Sequence, residues 1–291
     1  MAQGRVIRAI SGFFDVQGDD GVRRCRARGV FKKNGVTVLV GDQVAYEPIG
    51  SREGIITEVL PRVNELIRPP IANVDHVLVV FSLVTPDLST LMLDKTIIAA
   101  MLAGVRPSVI LTKADLAPAD EAERIRCIYE QCGYTALTVA LKEGVGIEEV
   151  RRLMKGRVNV VAGPSGAGKS TLANALAPNL RLQMGEVSEK IGRGKQTTRH
   201  VELFQLEQDT WLADAPGFSQ LQLDVDSREL RLHFPDFQEA AESCPYRGCL
   251  HIDEEDCGVK RWAEQGNIAQ SRYDSYRQLY FEIREREMNE Y

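Results

Sequence analysis

The chain of 291 residues has no stretch of 18 consecutive apolar residues, so no segment reads as a membrane-spanning helix. Its N-terminus, "MAQGRVIRAISG", is too polar for a secretion signal, and a cytoplasmic location is expected. Cysteine is scarce, with six residues, and unevenly placed: Cys25, Cys127 and Cys132 are scattered, whereas Cys244, Cys249 and Cys257 cluster with His251. That is not the frame of a secreted disulfide protein, and the cluster points to metal first. Internal repeats and low-complexity segments are lacking. Hydrophobic content of 44% and charged content of 26% are ordinary for a globular protein, and the length suffices for two or three domains.

Charge is unbalanced. The formal total is −5, yet residues 1–40 hold Arg5, Arg8, Arg23, Arg24, Arg26, Arg28, Lys32 and Lys33 against three Asp. A basic end on an acidic protein suggests that one face meets a polyanion, although a solvated face accounts for the charge equally well.

Residues 1–67 read as short strands, "GRVIRAI", "FFDVQ", "RRCRARGVF", "TVLVGDQVAYEPI" and "GIITEVL", punctuated by "GDDG", "KKNG" and "GSREG". Closely spaced strands with such turns predict a small β-barrel, which with five strands would be OB-like; the strand count by itself does not set the topology. "RPPIA", 68–72, reads as a stiff proline linker. Apolar strands then alternate with helices over 68–222: "HVLVVFSL", the helix "LSTLMLDKTIIAAMLAG", "PSVILT", the helix "ADEAERIRCIYEQCG", "YTALTVA", the helix "IEEVRRLMKG" and "RVNVVAG". The pattern predicts a parallel α/β sheet covered on both faces. Residues 228–291 are polar and helical in character, interrupted by the Cys/His cluster. The last helix, "SRYDSYRQLYFEIREREMNEY", carries Tyr273, Tyr276, Leu279, Tyr280 and Ile283 along one stripe, a packing face.

"GPSGAGKS" fits G-x-x-x-x-G-K-[ST], with a strand before it and the helix "STLANALA" after it. In this pattern the backbone of Gly163, Pro164, Ser165, Gly166, Ala167 and Gly168 wraps phosphate oxygens at a helix N-terminus. Lys169 reaches the β- and γ-phosphates, and Ser170, followed by Thr171, holds Mg²⁺. Downstream, "WLADAPGF" ends an apolar strand with Asp214, Pro216 and Gly217, suited to the Mg²⁺ shell and to a γ-phosphate N–H contact. Between them, "GRGKQTTRHVELF" reads as a switch segment in which Thr197 or Thr198 ligates Mg²⁺.

About fifty residues before the phosphate loop stands "TKAD", Thr112-Lys113-Ala114-Asp115. The Asp115 carboxylate can accept from the N1–H and N2 amino donors of guanine, a pair that adenine lacks. The Lys113 stem can lie along the base. Thr112 stands where Asn is usual, and its hydroxyl can still tie the loop. The order is guanine reader, phosphate loop, switch and D-x-P-G, a circular permutation of the usual GTPase order. A parallel sheet tolerates it because the functional loops share one edge.

"CPYRGCLHIDEEDC" has the spacing C-x₄-C-x-H-x₅-C. Three thiolates and an imidazole from Cys244, Cys249, His251 and Cys257 suit one closed, structural Zn²⁺ site. The residue after Gly217 is Phe218, where many GTPases have the water-orienting Gln, so intrinsic turnover is expected to be slow.

Permuted order, "TKAD", "GPSGAGKST", "GRGKQTTRHVEL", "DAPGFS" and the Cys/His cluster together resemble the ribosome-small-subunit-dependent GTPase A family over nearly the whole chain. The resemblance implies an OB domain at 1–67, a permuted GTPase domain at 68–222 and a helical zinc-bearing domain at 223–291. It implies an assembly factor that binds GTP and GDP and acts late on the small ribosomal subunit and its 16S rRNA, which stimulates hydrolysis; a monomer is expected. By resemblance, the loop at "VALKEG" offers a backbone contact to guanine O6. Val139 replaces the expected Ser there, and Ala140 alone carries over. A small-molecule P-loop kinase would need neither "TKAD" nor the cluster. An RNA-binding module with a silent nucleotide site would show no turnover.

Overall fold

The computed structural model describes residues 1–29, 31, 35–67, 69–178, 201–214 and 223–289. These residues pack as two compact units. One draws on Met1–Leu78, Ile147–Ala162 and Ser170–Ser219, the other on Val79–Gly146, Gly163–Lys169 and Gln220–Tyr291.

In the first unit, β1 (Ala2–Ile10), β2 (Phe13–Gly18), β3 (Gly21–Ala27), β4 (Gln43–Ile49) and β5 (Glu53–Val59) form a barrel. Its order is β1-β2-β3-β5-β4, closed by β1–β4 pairing. This is the five-stranded OB-like barrel expected from the strand spacing. Alternation along the strands turns Val6, Val16, Cys25, Val44, Tyr46 and Ile56 into its interior. The expected linker is instead structured: β6 (Glu65–Ile67) and β7 (Pro70–Ala72) form a hairpin, with Leu66, Ile71 and Ala72 buried. Pro70 opens β7, a position that costs no ladder hydrogen bond, and Ile71 bridges to Val40. At the base of the barrel, buried Asp42 accepts from Arg62 Nε at 2.7 Å and from Leu39 N at 2.7 Å.

The same unit holds β11 (Val158–Ala162), β12 (Glu202–Glu207) and β13 (Thr210–Asp214). β11 and β13 run parallel, with Val160 opposite Ala213. β12 is antiparallel to β13 and meets β1 at Arg8 opposite Glu202. This antiparallel strand departs from the all-parallel expectation. Leu203, buried between half-exposed neighbours, and the "EQD" turn with Asp209 at φ 58° make it a hairpin arm. Buried Asn159 on β11 accepts from His76 Nδ1 at 2.9 Å and donates to Met154 O and Trp211 O at 3.0 Å, which satisfies its amide inside the sheet.

The second unit contains β9 (Arg106–Thr112) and β10 (Thr135–Val139), parallel in register, beside the C-terminal half of β8 (His76–Ser82). Helix Thr90–Leu102 starts at Ser89, whose hydroxyl accepts from Met92 N at 3.3 Å, and gives way at Gly104 with φ 70°. Helix Ala119–Gln131 begins after Pro118 with Asp120 and Glu121 in its first turn, favourable to its dipole.

Beyond residue 223 the chain packs around helix Gln270–Asn289. The stripe residues Tyr273, Tyr276, Leu279, Tyr280 and Ile283 are all buried with Phe234 and Phe237, as their spacing predicts. Crossing this core is Arg272, 1% exposed. It pairs with Asp94 of helix Thr90–Leu102 and with Asp236 at 2.9 Å. Its guanidinium lies 4.6 Å from the Phe234 ring centroid, and Tyr129 Oη donates to Asp94 at 3.1 Å. A buried arginine of this kind is held only while its carboxylates are present. Asp94→Ala is therefore expected to destabilise the protein by about 3 kcal/mol, read as a lower urea midpoint. A midpoint equal to the parent's would show that Asp236 alone satisfies Arg272.

Candidate nucleotide and metal sites

The candidate nucleotide-binding loops leave the ends of strands. β9 and β10 are paired with Val139 opposite Thr112, so the "TKAD" loop and the Ala140 loop leave the sheet side by side. Ala114 N donates to Val139 O at 3.2 Å, and Ala140 N to Val145 O at 3.1 Å. Asp115 is exposed at the start of its loop. In the first unit β11 ends at Ala162, directly before the phosphate loop. Its parallel partner β13 ends at Asp214, so both chains emerge at one edge.

The phosphate loop needs its glycines. Gly163 has φ 140°, and a Cβ there would lie 2.0 Å from Val80 O, so no side chain fits. Gly166 and Gly168 are also at positive φ. Helix Lys169–Leu176 follows at once and brings Ser170 and Thr171 into its first turn. Lys169 Nζ donates to Gly163 O at 2.8 Å and Pro164 O at 2.6 Å, spanning the loop's entry. Half-burial lowers the Lys169 pKa, which makes an anionic phosphate a favourable partner for it.

Thr112 is fully buried and joins the two loops directly. Its hydroxyl donates to Ala167 O of the phosphate loop at 2.6 Å. A threonine at the asparagine position thus reaches the phosphate loop through its hydroxyl. Lys113 stands at φ 59°, with its ammonium donating to Thr85 O. Thr197, Thr198, Gly217 and Phe218 lie outside the described residues, and Asp214 is described by its backbone alone.

The Cys/His cluster is assembled. Cys244, Cys249, His251 and Cys257 bring their ligand atoms within 4.8 Å of one another. The Cys244–Cys257 and Cys249–Cys257 sulfur separations are 3.9 and 3.8 Å, and His251 Nδ1 lies 3.3 Å from Cys257 Sγ and 3.7 Å from Cys244 Sγ. A tetrahedral ion with zinc-like bond lengths has sulfur–sulfur edges of about 3.8 Å and nitrogen–sulfur edges of about 3.5 Å. The donor set therefore fits such an ion. Burial pushes the Cys249 thiol up to about 12 and the His251 imidazole down to about 4. A bound cation would reverse the thiol shift.

Surrounding groups fix the cluster. The Glu254 carboxylate accepts from Leu250 N at 2.6 Å and Ile252 N at 2.9 Å, while Tyr273 and Tyr276 donate to His251 O and Leu250 O at 2.9 and 2.5 Å. These tyrosines couple the cluster to the C-terminal helix, a role the stripe pattern alone did not reveal.

On the barrel the basic residues separate by role. Arg23 is bound to Asp20 at 2.6 Å and Gly50 O at 2.9 Å, and its side chain is 12% exposed. Arg24 and Arg26 are exposed and lie 4.7 and 4.6 Å from the Phe13 ring centroid. Phe14 and Phe31 pack on the barrel core.

A guanine-type loop placed before a phosphate loop in the chain, yet bonded to it in space, defines a circularly permuted P-loop GTPase. Two family descriptions match: RsgA GTPase over residues 59–224 and RsgA N-terminal domain over 3–56. The chain belongs to the RsgA GTPase family. It is 41% identical over 289 residues to the small ribosomal subunit biogenesis GTPase RsgA of Caldanaerobacter subterraneus subsp. tengcongensis, covering 99% of this chain and 98% of that one. It is 43% identical over 290 residues to the protein so named from Geobacillus thermodenitrificans, covering 98% and 99%. Among solved structures it is similar to YloQ, a circularly permuted GTPase, with TM-score 0.81, 37% identity and 98% and 95% coverage. YjeQ from Thermotoga maritima matches with TM-score 0.82, 32% identity and 97% and 98% coverage.

Two variants probe these sites. Thr112→Val keeps shape but leaves Ala167 O without its donor. It is expected to weaken GDP binding by about tenfold, measured by calorimetry, whereas parental affinity would separate the two loops functionally. Cys249→Ser is expected to lose bound metal, measured by elemental analysis, and to lower thermal stability, because ligation energy is also folding energy. Protein without metal before the substitution would refute the site.

Proposed function

We propose that this chain is a GTP hydrolase acting on the small ribosomal subunit during its biogenesis, with hydrolysis stimulated by that particle. The observation that supports the reading is the Thr112–Ala167 hydrogen bond, which joins the "TKAD" loop to the phosphate loop. The names of the relatives supply the particle.

In this reading Asp115 pairs with the guanine N1 and N2 donors, the Lys113 stem lies along the base, and the Ala140 backbone meets O6. Lys169 and the N–H groups of Gly163–Thr171 neutralise the phosphates. Ser170, Asp214 and Thr197 or Thr198 would hold Mg²⁺, which when bound screens charge that develops between the β- and γ-phosphates. Gly217 offers its N–H to the γ-phosphate. Phe218 cannot orient the attacking water, so the free enzyme turns over slowly and a bound partner completes the arrangement. The ion in the Cys/His cluster is Zn²⁺, one per chain, in a structural role. The three-part division at 67 and 222, a monomeric state and a cytoplasmic location complete the proposal. No helix among the described residues is long and apolar enough to cross a membrane.

The barrel is the RNA-binding element. Arg24 and Arg26 over Phe13 offer charge for phosphates and an aromatic face for an unpaired base.

The test measures GTP turnover with small subunits, large subunits or neither. Strong stimulation by small subunits alone is expected. Replacing Arg24 and Arg26 together with Ala should weaken subunit binding and flatten its salt dependence by about 1.4 to 1.8 units of log–log slope. Turnover indifferent to small subunits would overturn the functional reading, and an unchanged salt slope would remove these arginines from the interface.

A further inference from the structure

The loop between β8 and helix Thr90–Leu102, residues 83–89, has no part in the roles assigned above, yet it is held against both nucleotide-binding loops. Thr85 stands at φ 39° and Lys113 at φ 59°, two non-glycine residues in the left-handed region. That conformation is costly for a β-branched side chain. Thr85, Pro86 and Asp87 are exposed, so burial in the core does not hold the loop there.

Polar ties hold it instead. Leu83 N donates to Thr112 O at 3.0 Å, Ser82 Oγ donates to Val84 O, and Ser89 caps the following helix. At the apex, Lys113 Nζ donates to Thr85 O. Pro86 Cδ lies 3.3 Å from the point where a Cβ on Gly166 would sit, so the loop abuts the phosphate loop at one of its glycines. Strain without core burial, at a contact with both a base-reading lysine and a phosphate loop, is the signature of a functional element.

We propose that Thr85 and Pro86 are positioning residues of the guanine-nucleotide site: the Thr85 carbonyl anchors the Lys113 ammonium so that the lysine stem lies flat along the base, and Pro86 seats the loop against Gly166. The inference rests on the reading of Thr112–Asp115 as the base reader. The ligand class is a guanine nucleotide, and the loop acts on it through Lys113. Asp115 still discriminates guanine from adenine. The loop determines how long the base stays, because a lysine tethered at both ends loses less freedom on binding than a free one.

The experiment compares Thr85→Gly, Thr85→Asn, Lys113→Met, the double variant Thr85→Gly/Lys113→Met, and Asp115→Asn in the full chain. It reads GDP affinity and dissociation with a fluorescent GDP analogue, together with the thermal midpoint of the nucleotide-free protein. Glycine adopts positive φ freely, so Thr85→Gly should leave the midpoint unchanged or raised while it frees the loop. GDP affinity should then fall by about three- to tenfold, the range one hydrogen bond commands. Asparagine tolerates this backbone region, so Thr85→Asn should stay near parental affinity. The double variant should bind no more weakly than Lys113→Met alone, because both changes act on one contact: Lys113→Met removes the ammonium, and Thr85→Gly frees the carbonyl that anchors it. Parental affinity in Thr85→Gly, or full additivity with Lys113→Met, would overturn the proposal. If Asp115→Asn keeps parental GDP affinity, the base-reader assignment fails and the loop's role falls with it. If Asp115→Asn loses affinity while Thr85→Gly does not, the loop proposal alone is wrong.

Discussion

Parallel strand pairing is the constraint on which the rest of this protein depends. Parallel neighbours present their C-terminal ends at one edge, whatever their order in the chain. Val139 opposite Thr112 aligns the Ala140 loop with "TKAD" in one compact unit, and Val160 opposite Ala213 aligns the strand ends before Gly163 and at Asp214 in the other. Circular permutation is harmless to such a site because it changes loop order along the sequence and leaves the edge intact. It does alter where the chain goes next. The residues after Asp214 lead into the C-terminal segment that holds the Cys/His cluster, so the "DAPG" sequence is joined covalently to that segment.

A short polar tie joins the "TKAD" loop to the phosphate loop within the second unit. Thr112 spends its only hydroxyl proton on Ala167 O, inside a fully buried position where an unmade hydrogen bond would be costly. The C-terminal segment uses the same logic on a larger scale. It holds few residues, and its hydrophobic core is supplemented by two staples, the Arg272 pairs with Asp94 and Asp236 and the four-ligand cluster. The first reaches helix Thr90–Leu102, which begins at the end of the loop that touches Lys113 and Gly166. Segment and nucleotide loops are therefore connected through one helix as well as through the chain itself.

Much of this was legible in the sequence, because the informative signals were local. Glycines at fixed spacing marked the phosphate loop, four ligand residues within fourteen positions marked the candidate metal cluster, and strand spacing marked the barrel. What escaped was non-local or weighed wrongly. Two prolines suggested a linker at 68–72, but Pro70 opens a strand because the first position needs no donor, and Ile71 and Ala72 find burial. The switch-like context of "HVELF" obscured the hairpin of β12 with β13, although its alternation was present. Charge alone could not separate Arg23, committed to Asp20 and Gly50, from Arg24 and Arg26. The positive φ of Thr85 and the ammonium bond of Lys113 had no sequence signature, since neither position is glycine.

We read "TKAD" and the phosphate loop as parts of one guanine-nucleotide pocket despite their inverted order. The most direct measurement is a crystal structure of the protein with GDP and Mg²⁺. In it the Asp115 carboxylate should pair with guanine N1 and N2, the phosphates should lie within Gly163–Thr171, and the Thr112–Ala167 hydrogen bond should be retained. Phosphates in that loop with the base turned away from Asp115 would contradict this reading.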